Sequence, residues 1–204
     1  LDTQTERTAA AQKLLETLAG SDGLAREDRL RQARLHYYLG RAYTYAGQPA
    51  EAIKRYAQVI PVAQEFGDQE LLVLPSYVMG LALCMQGNNA KGCHLLGQAI
   101  GPMEKLGNPF DWLRGLLFHG LTLAAMGRYR EGLDELKRAF EQAQGRGHSV
   151  LAMCQTMFSA VGRAGADWPR VTISGQATVD HARQSGDNVY LFAGWSILSW
   201  AEAN

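Results

Sequence analysis

The chain has 204 residues, of which 47% are hydrophobic and 20% are charged, so it is large enough to bury a core and does not have the composition of a disordered protein. Its 20 Lys and Arg residues balance 20 Asp and Glu residues, which argues against the broad basic field that drives binding to nucleic acid or to an anionic membrane. No apolar run approaches the roughly 20 residues that cross a bilayer. The three cysteines form no CxxC pair, which favours a reducing, cytoplasmic compartment.

A glycine followed by a polar residue recurs along the chain. The glycines are Gly67, Gly107, Gly147 and Gly186, at steps of 40, 40 and 39 residues, and the residues after them are Asp68, Asn108, His148 and Asp187. Such a set could be the ligands of one ion or the boundaries of a repeated unit. Helix packing would place successive copies on the order of 10 Å apart, too far to share an ion. We therefore interpret these pairs as boundaries between repeats.

The predicted elements follow this period in chain order. A leading helix is predicted over residues 3–19, and the loop GSDG at Gly20–Gly23 separates it from the first repeat. Four helix pairs then occupy residues 30–66, 68–106, 108–146 and 148–185, and residues 187–204 form the first helix of a fifth pair. The sequence thus predicts an all-α protein that forms a single domain over residues 1–204.

Local signals support these helix boundaries. In the second helix of the first repeat, apolar residues recur at three- and four-residue steps, and strand alternation is absent almost everywhere; VTIS at Val171–Ser174 is too short to change this prediction. Glycine suits the left-handed residue after a first helix, and Asp or Asn suits an N-cap. The predicted left-handed residues are Gly47, Gly87, Gly127 and Gly165, and the predicted N-caps are Asp68, Asn108 and Asp187, with Ser149 as the alternative to His148.

Small and large residues also recur at fixed positions within the repeats. If Gly40, Gly80 and Gly120 are aligned, a large residue follows three positions later, a small one twelve positions later and a large one sixteen positions later. In the fourth repeat, Ala160 replaces the glycine and Arg163 the large residue. This pattern resembles the tetratricopeptide repeat, most clearly in LGRAYTYAGQPAEAIKRYAQVI at Leu39–Ile60.

The resemblance implies a right-handed α-solenoid of antiparallel helix pairs. The period is longer than the family standard of about 34 residues and is similar to that in the tails of large bacterial regulators, where the tail follows an ATPase, a nucleotide cyclase or a kinase. Because the chain begins with Leu1 rather than Met, we expect it to be part of such a protein.

In this family the first helix of each pair lines a concave groove that binds peptides or proteins. The groove positions transfer to Arg34, Tyr37, Arg41 and Thr44; to Leu74, Tyr77, Leu81 and Cys84; to Arg114, Leu117, Leu121 and Ala124; and to Cys154, Met157 and Val161. A core position is an equal alternative for Leu81, Leu121 and Val161. This set predicts a basic and aromatic entrance that becomes apolar, suited to an amphipathic helix or an extended peptide with an acidic end.

The groove differs from that of the chaperone-binding members of the family. Those members hold a terminal carboxylate with Lys and Asn at defined groove positions. Here the corresponding residues include Tyr37, Arg41 and Val78, and none of these groove positions is occupied by Asn. A chaperone-tail clamp is therefore not predicted.

Motifs for catalysis, metals or cofactors are absent from the sequence. There is no GxxxxGK[ST], HExxH or GxSxG, and the nearest approach to a phosphate loop is GNNAKG at Gly87–Gly92. The five histidines occupy different positions in the repeats. We predict no catalytic residue, no metal and no cofactor.

The last predicted helix carries an apolar stripe without a following partner helix. The stripe consists of Leu191, Trp195 and Leu198, with Phe192 beside it. Either the solenoid continues past Asn204, which is the preferred explanation, or the stripe packs on another molecule, for example by self-association.

The leading hypothesis for function is a non-catalytic interaction or sensor module of a cytoplasmic bacterial regulator. Its partner would be a protein or peptide bound in the groove. The alternative is a receptor for a small ligand or a peptide pheromone that signals by a change in the shape of the superhelix. An enzyme with unrecognised chemistry is the third hypothesis.

Overall fold

The computed structural model describes Lys13 and residues 26–203, and its regular structure is helical throughout, with no strand in that part of the chain. VTIS lies within a helix. The predicted helix over residues 3–19 lies outside the described residues, apart from Lys13. From residue 26 onward the helices are α1 (Arg26–Tyr45), α2 (Pro49–Phe66), α3 (Gln69–Met85), α4 (Asn89–Lys105), α5 (Pro109–Ala125), α6 (Tyr129–Ala143), α7 (His148–Ala164), α8 (Trp168–Ser185) and α9 (Asn188–Glu202).

The helices belong to two compact units, residues 1–107 and 108–204. In the first unit each helix packs on the next, and α1 also packs on α3. In the second unit each helix again packs on the next, while α7 packs on α5 and α9 as well. Each unit is thus a stack of helix pairs, and the predicted all-α, tetratricopeptide-like solenoid is confirmed. The single domain over residues 1–204 stays a prediction.

In the second and third repeats, the two helices of the pair approach until their backbones meet. A Cβ atom on Gly120 of α5 would lie 2.7 Å from the carbonyl oxygen of Gly132 in α6, and one on Gly132 would lie 2.5 Å from the carbonyl oxygen of Gly120. The pair α3 and α4 has the same contact, because a Cβ on Gly92 would lie 2.6 Å from the carbonyl oxygen of Gly80. The small residues of the repeat pattern are therefore packing requirements.

The turn after each first helix contains one residue in the left-handed region. Gly47, Gly87 and Gly127 take this conformation with φ of 71°, 81° and 81°, as predicted. In the fourth repeat the prediction of Gly165 is wrong, because Ala166 has φ of 52° and Gly165 has φ of −95°. Gly165 instead leaves room for Tyr129: a Cβ there would lie 2.4 Å from Cε2 of that ring.

The position of Ala166 shows that the step from the third to the fourth repeat is 39 residues. Ala160 and Arg163 were aligned with Gly120 and with the large residue three positions after it. Both are therefore one residue out of register. Ser159 is buried at the position of the repeat glycine, and Gly162 packs against Val171 of α8. Arg163 is exposed and stacks over the ring of Trp200, with its Cζ 5.2 Å from the ring centroid.

Three of the predicted N-caps are confirmed. Asp68 accepts a hydrogen bond from the backbone N–H of Leu71, Asn108 caps the first turn of α5, and Asp187 caps that of α9. Helix α7 begins after Gly147 without a side-chain cap, so neither His148 nor Ser149 has the predicted role. The side chain of Ser149 donates to Asp187 instead.

Capping aspartates also bind the corresponding helix of the preceding repeat. Asp68 of the α3 cap accepts from Arg34 of α1 at 3.3 Å. Asp187 of the α9 cap accepts from Ser149 of α7 at 2.9 Å. Asp167, the cap of α8, accepts from Tyr129 of α6 at 2.9 Å. Each of these carboxylates therefore satisfies its own helix and joins two repeats.

The apolar stripe of α9 is partly covered. Leu191 and Leu198 are half-buried, and Leu198 lies against Gly175 of α8, where a Cβ would be 3.1 Å from its Cδ2. The preceding helix therefore covers part of this leucine. Phe192 is 76% exposed, and Trp195 lies under the guanidinium of Arg183 at 5.3 Å.

The left-handed turn gives a direct test of backbone strain. Because an L-residue with a Cβ is disfavoured in this region by about 1 kcal/mol or more, we expect Ala166→Gly to raise the free energy of unfolding by up to about 1 kcal/mol. Gly127→Ala should lower it by a similar amount. Urea denaturation of both variants measures this, and a loss of stability in Ala166→Gly would contradict the assignment.

Candidate functional site

The four groove residues predicted in α1 have different environments. Arg34 is exposed, Arg41 is half-buried, and Tyr37 and Thr44 are buried. The guanidinium of Arg34 forms an ion pair with Asp68, so its charge is already balanced by a contact between α1 and the cap of α3. Thr44 faces the interior, where its hydroxyl bonds the carbonyl oxygen of Gly40 at 2.9 Å.

An aromatic cluster surrounds Arg41 on α1. Its guanidinium lies 5.7 Å from the ring centroid of Tyr37, and its Nη1 donates to the hydroxyl of that residue at 3.5 Å. Burial lowers the pKa of Arg41, but Tyr37 and Tyr45 outweigh this effect and leave that pKa raised. The ring of Tyr38 lies beside that of Tyr37, tilted by 51°, with centroids 5.4 Å apart. We call Tyr37, Tyr38, Arg41 and Tyr45 the α1 aromatic cluster.

Two residues of this cluster, Tyr38 and Tyr45, were not predicted from the sequence. Tyr38 is 59% exposed and Tyr45 is 50% exposed, which is unusual for two rings on one helix. Tyr38 and Tyr45 are seven residues apart, which is about two helical turns. Two tyrosines at this spacing, on either side of a predicted groove arginine, were the available signal.

The α1 aromatic cluster rests on a rigid layer from α2. The Tyr56 ring fills the space left by Gly40, where a Cβ would lie 2.3 Å from its Cε1. The hydroxyl groups of Tyr56 and Thr44 are 2.9 Å apart and share a hydrogen bond. Burial raises the pKa of Tyr56, so the phenol stays neutral. The exposed rings are therefore presented on a fixed support.

In α3, two of the four predicted groove residues lie in the interior. Leu74 and Tyr77 are buried, whereas Leu81 and Cys84 are half-buried. They belong to the same unit as the α1 aromatic cluster, and α3 packs directly on α1. Among the predicted groove residues of this unit, the exposed or half-buried arginines are therefore both on α1.

The predicted groove residues of the second unit are also largely buried. Leu117 and Ala124 of α5 are buried, and Leu121 is half-buried. Arg114 packs between Phe110 and Phe118, with its Cζ 5.8 and 5.9 Å from their ring centroids. Cys154 and Val161 of α7 are buried in the core, and Met157 is half-buried.

The fourth repeat is shifted by one residue, and this shift explains why Cys154 and Val161 are buried and Met157 is not. A step of 39 residues makes Thr156 the equivalent of Leu117, so Met157 corresponds to Phe118. Cys154 and Val161 likewise correspond to the buried Gly115 and Thr122. The groove assignment of Met157 stays a prediction, now with a corrected equivalent.

Groups that could perform chemistry are few in the described part of the chain. No cluster of three or more His, Cys, Asp or Glu residues there could hold a metal ion. Burial raises the pKa of the Cys154 thiol to about 12, which disfavours a nucleophilic thiolate. None of the helices searched, all within the described residues, is long and apolar enough to cross a bilayer.

Two histidines meet where α7 and α8 pack. The Nδ1 atoms of His148 and His181 are 3.1 Å apart, and their rings stack with centroids 5.4 Å apart. Burial lowers the pKa of His181, and the charge of His148 lowers it further, while Asp180 opposes the change. The pair therefore favours the neutral form of His181.

The fold has close counterparts among solved structures. A Rap protein in complex with competence and sporulation factor superposes with a TM-score of 0.79 at 12% identity, covering 98% of this chain. The aspartyl phosphate phosphatase F of Bacillus subtilis gives a TM-score of 0.77 at 14% identity over 94% of this chain. A signal transduction ATPase with a tetratricopeptide repeat sensor from Pyrococcus horikoshii gives 0.76 at 13% identity over 98% of this chain.

The fold is that of the tetratricopeptide-repeat proteins. The chain spans 49% of the phosphatase, 58% of the Rap protein and 31% of the ATPase. No protein-family model matches the sequence, and a search of curated proteins also gives no match. At these identities the tetratricopeptide fold is shared, and each function named above is that of the other protein.

The buried hydroxyl pair under the α1 aromatic cluster can be tested by a double-mutant cycle. Thr44→Val leaves the Tyr56 phenol buried without this partner, so we expect a loss of about 1–3 kcal/mol in the free energy of unfolding. Tyr56→Phe added to it removes both polar groups, and most of the loss should be recovered. Urea denaturation provides the measurement; strictly additive losses would show that the two hydroxyl groups do not interact.

The histidine pair predicts a pH dependence of stability. The unfolded state takes up a proton on His181 near its ordinary pKa of about 6.5, and the folded state does so only at lower pH. The contribution to stability is therefore complete above that value and is lost as the pH falls below it. The melting temperature of the wild type should fall more between pH 7.5 and pH 5 than that of His181→Gln.

His94→Gln, a substitution of an exposed histidine in α4, is the matched control for this experiment. Its melting temperature should follow the wild type across the same pH range. Parallel curves for the wild type and His181→Gln would contradict the prediction.

Proposed function

We propose that this chain is a non-catalytic interaction or sensor module that binds a peptide or a partner protein on the first-helix face of its repeats. The observation that carries the proposal is the α1 aromatic cluster, in which exposed Tyr38 and Tyr45 flank Arg41. Exposed tyrosines around an arginine are typical of protein-binding surfaces, where such residues contribute much of the binding free energy. The rigid support from Tyr56 and Thr44 lowers the entropy cost of binding.

The cluster also indicates the chemistry of the partner. The tyrosine rings offer flat apolar surface and hydroxyl groups, and the Arg41 guanidinium can donate two parallel hydrogen bonds to a carboxylate. A peptide with an acidic residue next to an aromatic or branched side chain would satisfy both. Arg34 can add a second contact only if its ion pair with Asp68 opens.

The comparisons support a signalling role. The Rap protein was solved with competence and sporulation factor, and the ATPase carries its tetratricopeptide repeats as a sensor. We therefore propose that the chain is part of a larger bacterial regulator and acts in the cytoplasm. None of its three cysteines, all of which lie in the described residues, is in a disulfide, as expected for a reducing compartment.

The Rap complex also favours the alternative function. In that alternative the chain is a receptor for a small ligand or a peptide pheromone, and the signal is a change in superhelix shape. We propose no phosphatase activity, although one of the similar structures has that name. Self-association through α9 stays a proposal, supported by the exposure of Val189 and Phe192.

The interaction surface can be tested by selecting peptides from a displayed library of random 12-residue sequences on the immobilised chain. We expect the selected peptides to combine an acidic residue with an aromatic or branched one. Arg41→Glu should weaken their binding by at least about tenfold, because it replaces attraction by repulsion, and Tyr38→Ala and Tyr45→Ala should each weaken it by about three- to tenfold.

Lys54→Glu, an equal charge reversal at an exposed position of α2, serves as the matched control and should leave binding unchanged. Circular dichroism establishes that each variant is folded. If the library yields no peptide, or if Arg41→Glu and both tyrosine variants bind as the wild type does, the α1 aromatic cluster is not the binding surface.

A further inference from the structure

The second unit contains a cavity between the second helices of two repeats. Its volume is about 420 Å³, and α6, α7 and α8 all contribute to its walls. Small-molecule sites commonly have about 300–1,000 Å³. The size therefore suits a compact organic ligand.

The cavity arises from the way the three helices pack. Within the described residues, the backbones of α6 and α8 each pack on α7, and α6 and α8 meet only through side chains at one end, where Tyr129 contacts Asp167 and Arg170. The connection from α6 to α7 runs over four residues, 144–147, whereas residues 67–68 alone join α2 to α3. Helix α6 is also the shorter, with 15 residues against 18 for α2. A gap between α6 and α8 therefore stays open above α7.

Apolar side chains form much of the wall. Phe140 of α6 and Phe158 of α7 meet edge to face with centroids 6.0 Å apart, and both line the cavity. Pro169 and Ile173 of α8 line the other side. Ile173 is 70% exposed, so part of the wall faces solvent and would gain burial from a ligand.

Polar groups at the cavity are fixed and partly unsatisfied. The Nε atom of Arg170 donates to Asp167 at 2.9 Å and to the hydroxyl of Tyr129 at 3.2 Å. The two terminal nitrogens of that guanidinium make no hydrogen bond with the described residues. Gln155, which also lines the cavity, likewise makes none within the described part of the chain. These donors and the Gln155 carbonyl are available to a ligand.

The charges at the cavity favour a neutral ligand. The Asp167 carboxylate already balances the Arg170 guanidinium. Burial raises the pKa of Asp167, but hydrogen bonds from Tyr129 and Arg170 outweigh this and leave that pKa lowered, so the carboxylate is ionised at neutral pH. A ligand carboxylate would bring a second negative charge to the same guanidinium, and its desolvation would have only partial compensation. A carbonyl or amide oxygen accepts from Arg170 without this cost.

We propose that this cavity is a binding site for a small neutral molecule with a bulky apolar group and an amide or ester carbonyl. The apolar group lies between Phe140, Phe158 and Ile173. The carbonyl oxygen accepts from the terminal nitrogens of Arg170, and Gln155 can bond a second polar atom. This site lies in the second unit and does not depend on the α1 aromatic cluster, which belongs to the first.

The test uses two probes that differ only in their terminal group: N-acetyl-L-phenylalaninamide ends in a neutral amide, and N-acetyl-L-phenylalanine ends in a carboxylate. Each is titrated into the full chain labelled with ¹⁵N and with ¹³C at the isoleucine methyl groups. We expect the amide to cause saturable shifts of the Gln155 side-chain amide and of the Ile173 methyl signals. The acid should bind at least about tenfold more weakly, a difference of about 1.4 kcal/mol.

A matched pair of variants separates the cavity from non-specific binding. Ile173→Glu places a charge on the cavity wall at an exposed position, so the fold is retained, and it should weaken binding of the amide by at least about tenfold. Ala125→Glu, at an exposed position of α5 away from the cavity, should leave binding unchanged. Three results would overturn the proposal: no saturable shift at Gln155 and Ile173 with the amide, equal binding by Ile173→Glu and the wild type, or an acid that binds as tightly as the amide.

Discussion

The close approach of two helix backbones within the second and third pairs constrains the rest of this structure. Where Gly120 meets Gly132, the carbonyl oxygen of one helix occupies the space that a side chain of the other would need. Larger residues must then lie one turn away, as Leu136 does against Gly120. Because the paired faces are fixed in this way, the other faces of each helix are left to join neighbouring repeats and to form surfaces.

The fourth pair packs with a different set of side chains. Val171 stands where the second and third repeats have Gly92 and Gly132, and Gly175 stands where they have Leu96 and Leu136. The large and small positions are thus exchanged. Gly162 accommodates Val171, and Gly175 accommodates Ile197 and Leu198 of α9. The helix pair is retained although the pattern that identifies it in the sequence is reversed.

This exchange shows why some features could be predicted from the sequence and others could not. The period, the helices and the caps at Asp68, Asn108 and Asp187 depend on neighbouring residues, so their signals are local. The turn at Ala166 was missed because the adjacent glycine is the usual residue there, and its real role, making space for Tyr129, depends on a residue 36 positions away. The exposure of Tyr38 and the cavity beside Phe140 depend in the same way on how distant helices pack.

The aspartate caps join neighbouring repeats as well as ending individual helices. Asp68 is bound from α1, Asp167 from α6 and Asp187 from α7, in each case by the corresponding helix one repeat earlier. If a repeat opens, the next one loses both an apolar contact and a partner of its capping carboxylate, so its first turn becomes easier to unwind. In repeat proteins such coupling between neighbours determines whether units open one by one or together. The bonds at these caps therefore couple the stability of each repeat to that of its neighbour within the same unit.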